Sequence, residues 1–148
     1  MKVVVQRVSH AEVAVNNILV SKIDQGYLLL VGFTQGDSLK QIEYVARKIA
    51  RLRVFEDNQG LMNLAIDEVK GKILSISQFT VYGDVINSNR PSFTKALNYQ
   101  EANELYLKFN EILRNEYSLE VLEGLFGQSM QVSLINDGPV TIIIEKND

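Results

Sequence analysis

The sequence predicts an α/β fold: mixed, mostly antiparallel β-sheet layers with two main helices covering one side, in a single domain over residues 1–148. Three observations predict it. Apolar strand-like runs occur in both halves of the chain, helical spacing occurs in only two segments, and no linker, repeat or low-complexity tract divides the chain. So few helices between strands exclude a doubly wound parallel sheet.

The elements follow in order. Val3-Val4-Val5 opens a first strand that ends near Val8. Glu12 to Val15, the turn Asn16-Asn17 and Ile18-Leu19-Val20 read as a hairpin. The unbroken apolar run Tyr27 to Phe33, set between Gly26 and Gln35-Gly36-Asp37, suits a strand covered on both faces. The period then changes. Ile42, Val45, Ala46, Ile49 and Leu52 recur at helical spacing, with Asp37 or Ser38 as N-cap. Arg47, Lys48, Arg51 and Arg53 read as a solvated cationic face near that helix's C-terminus. Arg53-Val54-Phe55 and Asp57 to Gly60 give a short strand and a turn. Lys72 to Phe79 reads as a central strand, and Asp84 to Phe93 as a long irregular segment of the kind that often carries function. A second helix runs from about Tyr99 to Tyr117. Asn98 and Glu101 cap it, and Ala102, Leu105, Tyr106, Phe109, Ile112 and Leu113 form its core stripe. Gln128 to Ile135 alternates, with Met130, Val132 and Leu134 on one face. Val140 to Ile144 is expected to pair back on it after an Asn136-Asp137-Gly138-Pro139 turn.

Composition narrows the function classes. The net charge of -3 argues against a general nucleic-acid coat, while leaving room for a protein that grips only the tip of an RNA. The absence of Cys removes thiolate chemistry and disulfides and fits a reducing cytoplasm. No apolar run approaches the roughly 20 residues that span a bilayer, and Met1 to Arg7 turns polar too soon for a signal peptide. No metal is expected, because the single His and scattered carboxylates form no ligand cluster; no cofactor is expected, because the glycines form no phosphate-binding spacing.

Chemistry must then rest on backbone groups, hydroxyls and the substrate itself. Ser77-Gln78-Phe79-Thr80, at a strand end, offers hydroxyls and an amide that can orient water or stabilise an oxyanion. A Ser or Thr nucleophile needs a base beside it, and only His10, placed in an early turn, is available. Gly138-Pro139 permits a cis bond, cheap before proline at about 0.5–1 kcal/mol, and a rigid wall of backbone that excludes by shape.

Taken together these strings resemble the D-aminoacyl-tRNA deacylases, also called D-Tyr-tRNA(Tyr) deacylases, over essentially the full length. The resemblance is carried by Met1 to Val8, Arg53-Val54-Phe55, Met62-Asn63-Leu64, Ser77-Gln78-Phe79-Thr80 and Arg90-Pro91-Ser92-Phe93. It continues through Gly124-Leu125-Phe126-Gly127, Met130-Gln131-Val132 and Asn136 to Thr141. It implies a homodimer with composite active sites that hydrolyses the ester of a D-amino acid on the 3′ end of tRNA, and of mischarged glycine. It implies that Ser77, Gln78, Phe79 and Thr80 of one subunit face Gly138 and Pro139 of the other. The Gly-Pro carbonyls would exclude an L side chain, and Phe126 and Met130 would line the adenosine pocket. It implies further that the substrate's 2′-hydroxyl acts with water, Thr80 being the rival candidate. One departure stands out: where the family carries a basic Arg-Lys-Gly before Arg-Pro-Ser-Phe, this chain has Val85-Ile86-Asn87-Ser88-Asn89, which implies fewer phosphate contacts from that loop. Two other readings are a non-catalytic dimeric module binding nucleic acid or protein, and a small-ester hydrolase using Thr80 as nucleophile.

Overall fold

The computed structural model describes all residues, 1–148. Its strands are β1 (Lys2–Val15), β2 (Ile18–Ile23), β3 (Gly26–Gly32), β4 (Phe55–Glu56), β5 (Met62–Leu64), β6 (Lys72–Ser77), β7 (Val121–Glu123) and β8 (Gln131–Glu145). Its helices are α1 (Leu39–Arg51) and α2 (Tyr99–Tyr117), with a 3-10 turn over Phe79–Tyr82. The sheet is mixed, as expected. Antiparallel pairs join β1 to β2, β3 and β8, and parallel pairs join β3 to β6 and β6 to β7. β2 and β3 follow one another along one edge of β1, and β8 runs along the other. The short β4–β5 ribbon stands apart from this sheet.

Both helices cover one face. Ile42, Val45, Ala46 and Ile49 of α1 and Phe109 and Leu113 of α2 are fully buried in the larger core, with Val3, Val5, Leu29 and Val31 from the sheet. Each such side chain contributes about 1.5–3 kcal/mol by leaving water. Gln41 Oε1 accepts the Ser38 N–H at 2.9 Å and fixes the start of α1. Asn98 Oδ1 accepts the Glu101 N–H at 3.0 Å and starts α2 where the sequence predicts. The opposite face holds a smaller core of Val8, Ala11, Val13, Ile23, Leu28, Leu74 and Ile76, closed by Met130, Val132 and Leu134 and by no helix.

Three expectations need correction, and one strand was not foreseen. β1 is one strand, not two, because its alternation survives a bulge at Ser9: Val3 and Val5 face the larger core, and Val8, Ala11 and Val13 the smaller. β8 is likewise one strand. Residues 140–144 do not pair back on 128–135, since both halves lie against β1, with Thr141 opposite Gln6 and Asn136 opposite Val8. The segment between them is a bulge of four residues facing Arg7, and there the β1–β8 ribbon crosses from one core to the other. Phe79 leaves the central strand for the 3-10 turn. The three residues of β7 carry too little pattern to be foreseen; Gly124 N–H donates to Ser75 O at 3.3 Å just beyond their pairing with β6.

Candidate active site

β6 delivers Ser77 to the end of the sheet beside β3. Gln78 N–H donates to Val31 O at 2.7 Å, and the chain then winds into the 3-10 turn, closed by Gly83 N–H donating to Thr80 O at 2.9 Å. Inside the turn Gln78 Nε2 donates to Thr80 Oγ1 at 2.9 Å. As the turn's first two residues, Phe79 and Thr80 find no acceptor for their N–H groups within it, an arrangement suited to a developing oxyanion. Tyr106 Oη donates to Ser75 O at 2.7 Å and ties α2 to β6 just before the turn. Burial pushes the Tyr106 phenol up to about 12, so it stays a donor.

Two cavities meet at this turn. One, of about 350 Å³, lies between the turn, the start of α2 and residues 126–130; its walls include Phe79, Phe93, Tyr99 and Phe126. The other, of about 400 Å³, opens on the helix-free face; Leu28, Leu30 and Ile76 form its floor, with Gln78 and Thr80 beside them. Ser77, Gln128 and Met130 line both. The structure thus brings Ser77, Gln78, Phe79, Thr80, Phe126 and Met130 together. None of these side chains, nor Gln128, ionises near neutral pH.

Gly138 and Pro139 are elsewhere: neither cavity includes them. They stand exposed on the β8 bulge, and the bond between them is cis. The bulge is nonetheless held firmly. Asn136 Oδ1 accepts the Val140 N–H and Asn136 Nδ2 donates to Thr141 Oγ1, both at 2.8 Å. From below, Arg7, only 5% exposed, donates from Nε to Asp137 O at 2.9 Å and from Nη1 to Val54 O at 2.7 Å. A Cβ on Gly138 (φ +130) would lie 2.9 Å from Arg7 Nη2 and from Val140 Cγ2.

Arg7 was not among the residues expected from sequence, although a signal existed. It falls in phase with the buried Val3 and Val5 of β1, so alternation places a charge inside the larger core's face. Gln128 and Tyr99 carry no comparable signal. His10 lies within β1 rather than in a turn, half-buried, with Nε2 at 2.8 Å from Glu12 Oε1 and Nδ1 at 3.5 Å from Asp24 Oδ1. The Glu12 carboxylate, then that of Asp24, raises its pKa by accepting its ring N–H groups. No three metal-ligating side chains converge anywhere in the chain.

The sequence pattern of the D-Tyr-tRNA(Tyr) deacylase family matches residues 4–145. This chain belongs to that family. As a member it is a deacylase, an enzyme. The D-aminoacyl-tRNA deacylase of Exiguobacterium sibiricum is 53% identical over 146 residues, covering 99% of this chain and all of that protein. That of Fusobacterium nucleatum subsp. nucleatum is 48% identical over 148 residues, covering 100% and 97%. Among solved structures, a c-Myc DNA Unwinding Element Binding Protein superposes with TM-score 0.92 at 40% identity, over 99% of both chains. A structure described as a "probable eukaryotic D-amino acid tRNA deacylase" shares the fold, with TM-score 0.81 over 97% of both chains at 15% identity. No helix is long and apolar enough to cross a membrane.

Proposed function

We propose that the chain hydrolyses the ester joining a D-amino acid to the terminal ribose of tRNA, releasing free tRNA and amino acid, and that it also accepts glycine. The shared wall carries this reading. Ser77, Gln128 and Met130 line both cavities. A nucleoside in the first, against Phe126 and Met130, therefore brings its 3′-ester to the turn. Water adds to the ester carbonyl, the N–H groups of Phe79 and Thr80 and the Gln78 amide hold the oxyanion, and the 3′-oxygen departs with a proton. An aminoacyl ester is already activated and carries a 2′-hydroxyl beside it. Positioning and oxyanion stabilisation then suffice, with Thr80 positioning rather than attacking, since His10 lines neither of the turn's cavities.

The second cavity needs a wall that this chain does not give itself. In our reading a second copy supplies it: Gly138 and Pro139 project into the partner's open face. The site is then composite, and the Gly138 and Pro139 carbonyls exclude an L side chain without gripping a D one. Exposure of the bulge, its bracing by Arg7 and its absence from the chain's own cavities support this. A tRNA substrate places the work in the cytoplasm.

A second reading is favoured by the relative named for DNA binding: a dimeric nucleic-acid module without chemistry. One assay separates them. Purified protein, with and without a chelator, is given D-Tyr-tRNA, L-Tyr-tRNA, glycyl-tRNA and D-Tyr methyl ester. Chelator-insensitive loss of the D and glycyl tRNA esters alone is expected. Equal loss of D- and L-esters would sink the chirality reading. Binding without turnover would favour the module, and efficient turnover of the methyl ester the small-ester hydrolase.

A further inference from the structure

The aromatic residues of α2 fall into two kinds. Tyr106 and Phe109 are 2% and 0% exposed and belong to the core. Tyr99, the first residue of the helix, is 65% exposed, yet it is not loose. Its ring stands edge-on to Phe126, centroids 4.9 Å apart at 73°. The Cε2–Oη edge of the ring also abuts Gly127, where an added Cβ would be 2.5 Å from Cε2 and 2.8 Å from Oη; with φ +78 as well, only glycine fits there. The ring is thus held along its edge by Gly127 and Phe126, while most of its surface stays open to solvent.

Tyr99 sits on the wall of the cavity assigned above to the terminal adenosine. Two aromatic pairs border that cavity. Phe79 and Phe93, centroids 5.1 Å apart, belong to the side of the reaction turn. Tyr99 and Phe126 belong to the other. With the terminal adenosine against Phe126 and its 3′-ester at the turn, the exposed aromatic ring next to it is Tyr99. The nucleotide before it then meets an exposed aromatic ring that is held along its edge. The neutral Val85 to Asn89 segment leaves that stretch without a cationic grip from the loop.

We propose that the open face of Tyr99 is a stacking platform for the nucleobase that precedes the terminal adenosine. The site so defined takes any base, because stacking uses the π-face and not the edge. This rests on the tRNA-ester reading above and extends it by one nucleotide.

The test measures what that nucleotide contributes. The substrates are the D-tyrosyl 3′-esters of adenosine and of the dinucleotide cytidylyl-adenosine, given to wild type, Tyr99→Ala and Tyr99→Phe. In wild type the added nucleotide raises kcat/KM by about 5- to 100-fold, the range that one stacked base supplies. Tyr99→Ala erases that gain, whatever it does to the adenosine ester, and Tyr99→Phe keeps it. A gain that survives in Tyr99→Ala, or that is absent from wild type, overturns the proposal. If Tyr99→Ala slows both substrates equally, Tyr99 only shapes the adenosine cavity, and the proposal is again wrong. Wild type that hydrolyses neither ester but also spares D-Tyr-tRNA defeats the parent reading, and the platform with it. Thermal melting of each variant separates an unfolded protein from a weakened one, and Tyr99→Leu, which keeps bulk without a π-face and should also lose the gain, carries the test if the Ala variant unfolds.

Discussion

The Ser77–Thr80 turn and the Asn136–Thr141 bulge both interrupt an apolar strand with polar residues, and they are built in opposite ways. The turn borders cavities of its own chain. Both adjoining cavities use it, and its side chains bond mainly to one another, as Gln78 does to Thr80. The bulge faces outward. No cavity of this chain reaches Gly138 or Pro139 through the turn, yet a buried guanidinium and an Asn side chain fix its backbone. Charge is rarely buried without return, and here Arg7 binds the Asp137 and Val54 carbonyls, with the Glu56 and Asp137 carboxylates each 3.9 Å away. The difference teaches that the turn is a receiving surface and the bulge a delivered one.

Removing each in turn gives the largest effects. Phe79→Pro deletes one N–H from the turn while the extended Gln78 (φ -145) tolerates a following proline at the turn's first position. Loss of an oxyanion donor should lower kcat on D-Tyr-tRNA by about 100- to 1,000-fold with the fold retained by circular dichroism. Arg7→Ala orphans the Asp137 and Val54 carbonyls, at about 1–3 kcal/mol each, and frees the bulge. Activity should fall about 100-fold through misplacement alone. Co-expressing the two variants then decides whose turn the bulge serves. With composite sites, half of the dimers are mixed and each holds one intact site, so about a quarter of wild-type activity returns. Activity no higher than either variant alone would mean that each bulge serves its own chain, and the contrast drawn above would collapse.

A smaller change sharpens the same contrast. Gly138→Ala places a methyl group against Arg7 Nη2 and Val140 Cγ2 in a backbone region that side chains rarely enter. D-ester hydrolysis should drop by about 10-fold, within the reach of 1–3 kcal/mol of local strain, with L-esters still spared. If the variant matched wild type in rate and chirality, the bulge would be a fold feature only. On the receiving side the expected cost is lower. Thr80→Ala should lose no more than about 10-fold, because one neutral hydrogen bond is at stake, whereas a 2′-deoxy substrate should not turn over. A trapped acyl-Thr80 ester would reverse these roles.

Legibility followed local pattern. Helix α2 was readable to its ends, since apolar residues at helical spacing and the Asn98 cap act within a few residues of one another. The polar turn was readable because it interrupts an apolar run. The continuous course of β8 was not, because Asn-Asp-Gly-Pro has the chemistry of a hairpin turn. What overrides it is β1, more than 120 residues away, whose alternation matches both halves of β8. Arg7 shows the same limit. Its phase on β1 betrays burial, but its partners Val54 and Asp137 meet it only in the folded chain. The distance between the turn's cavities and the bulge was likewise invisible to sequence, where both are merely strand-end polar strings.

The smallest expected effect concerns His10, which sits on β1 beside the bulge, opposite Ile135. It is the only His, hence the only side chain whose ordinary pKa lies between pH 5 and 8, and a rival mechanism would make it the base. Its hydrogen bonds to Glu12 and Asp24 raise its pKa in the folded state. The sign follows from linkage. A raised folded pKa means that protonated His10 adds stability, fully present below the unfolded value near 6.5 and lost as pH rises through the folded value. His10→Gln should therefore lower the melting temperature slightly at pH 5 and not at pH 9. The half-exposed position of His10 keeps even that difference small, because water screens the partners. Hydrolysis should respond differently. The turn and both cavities contain no group that titrates in this range, so the pH–rate profile of His10→Gln should overlay that of wild type. A profile that lost an acidic limb would bring His10 into the chemistry, and the division between a receiving turn and a delivered bulge would have to admit a third participant.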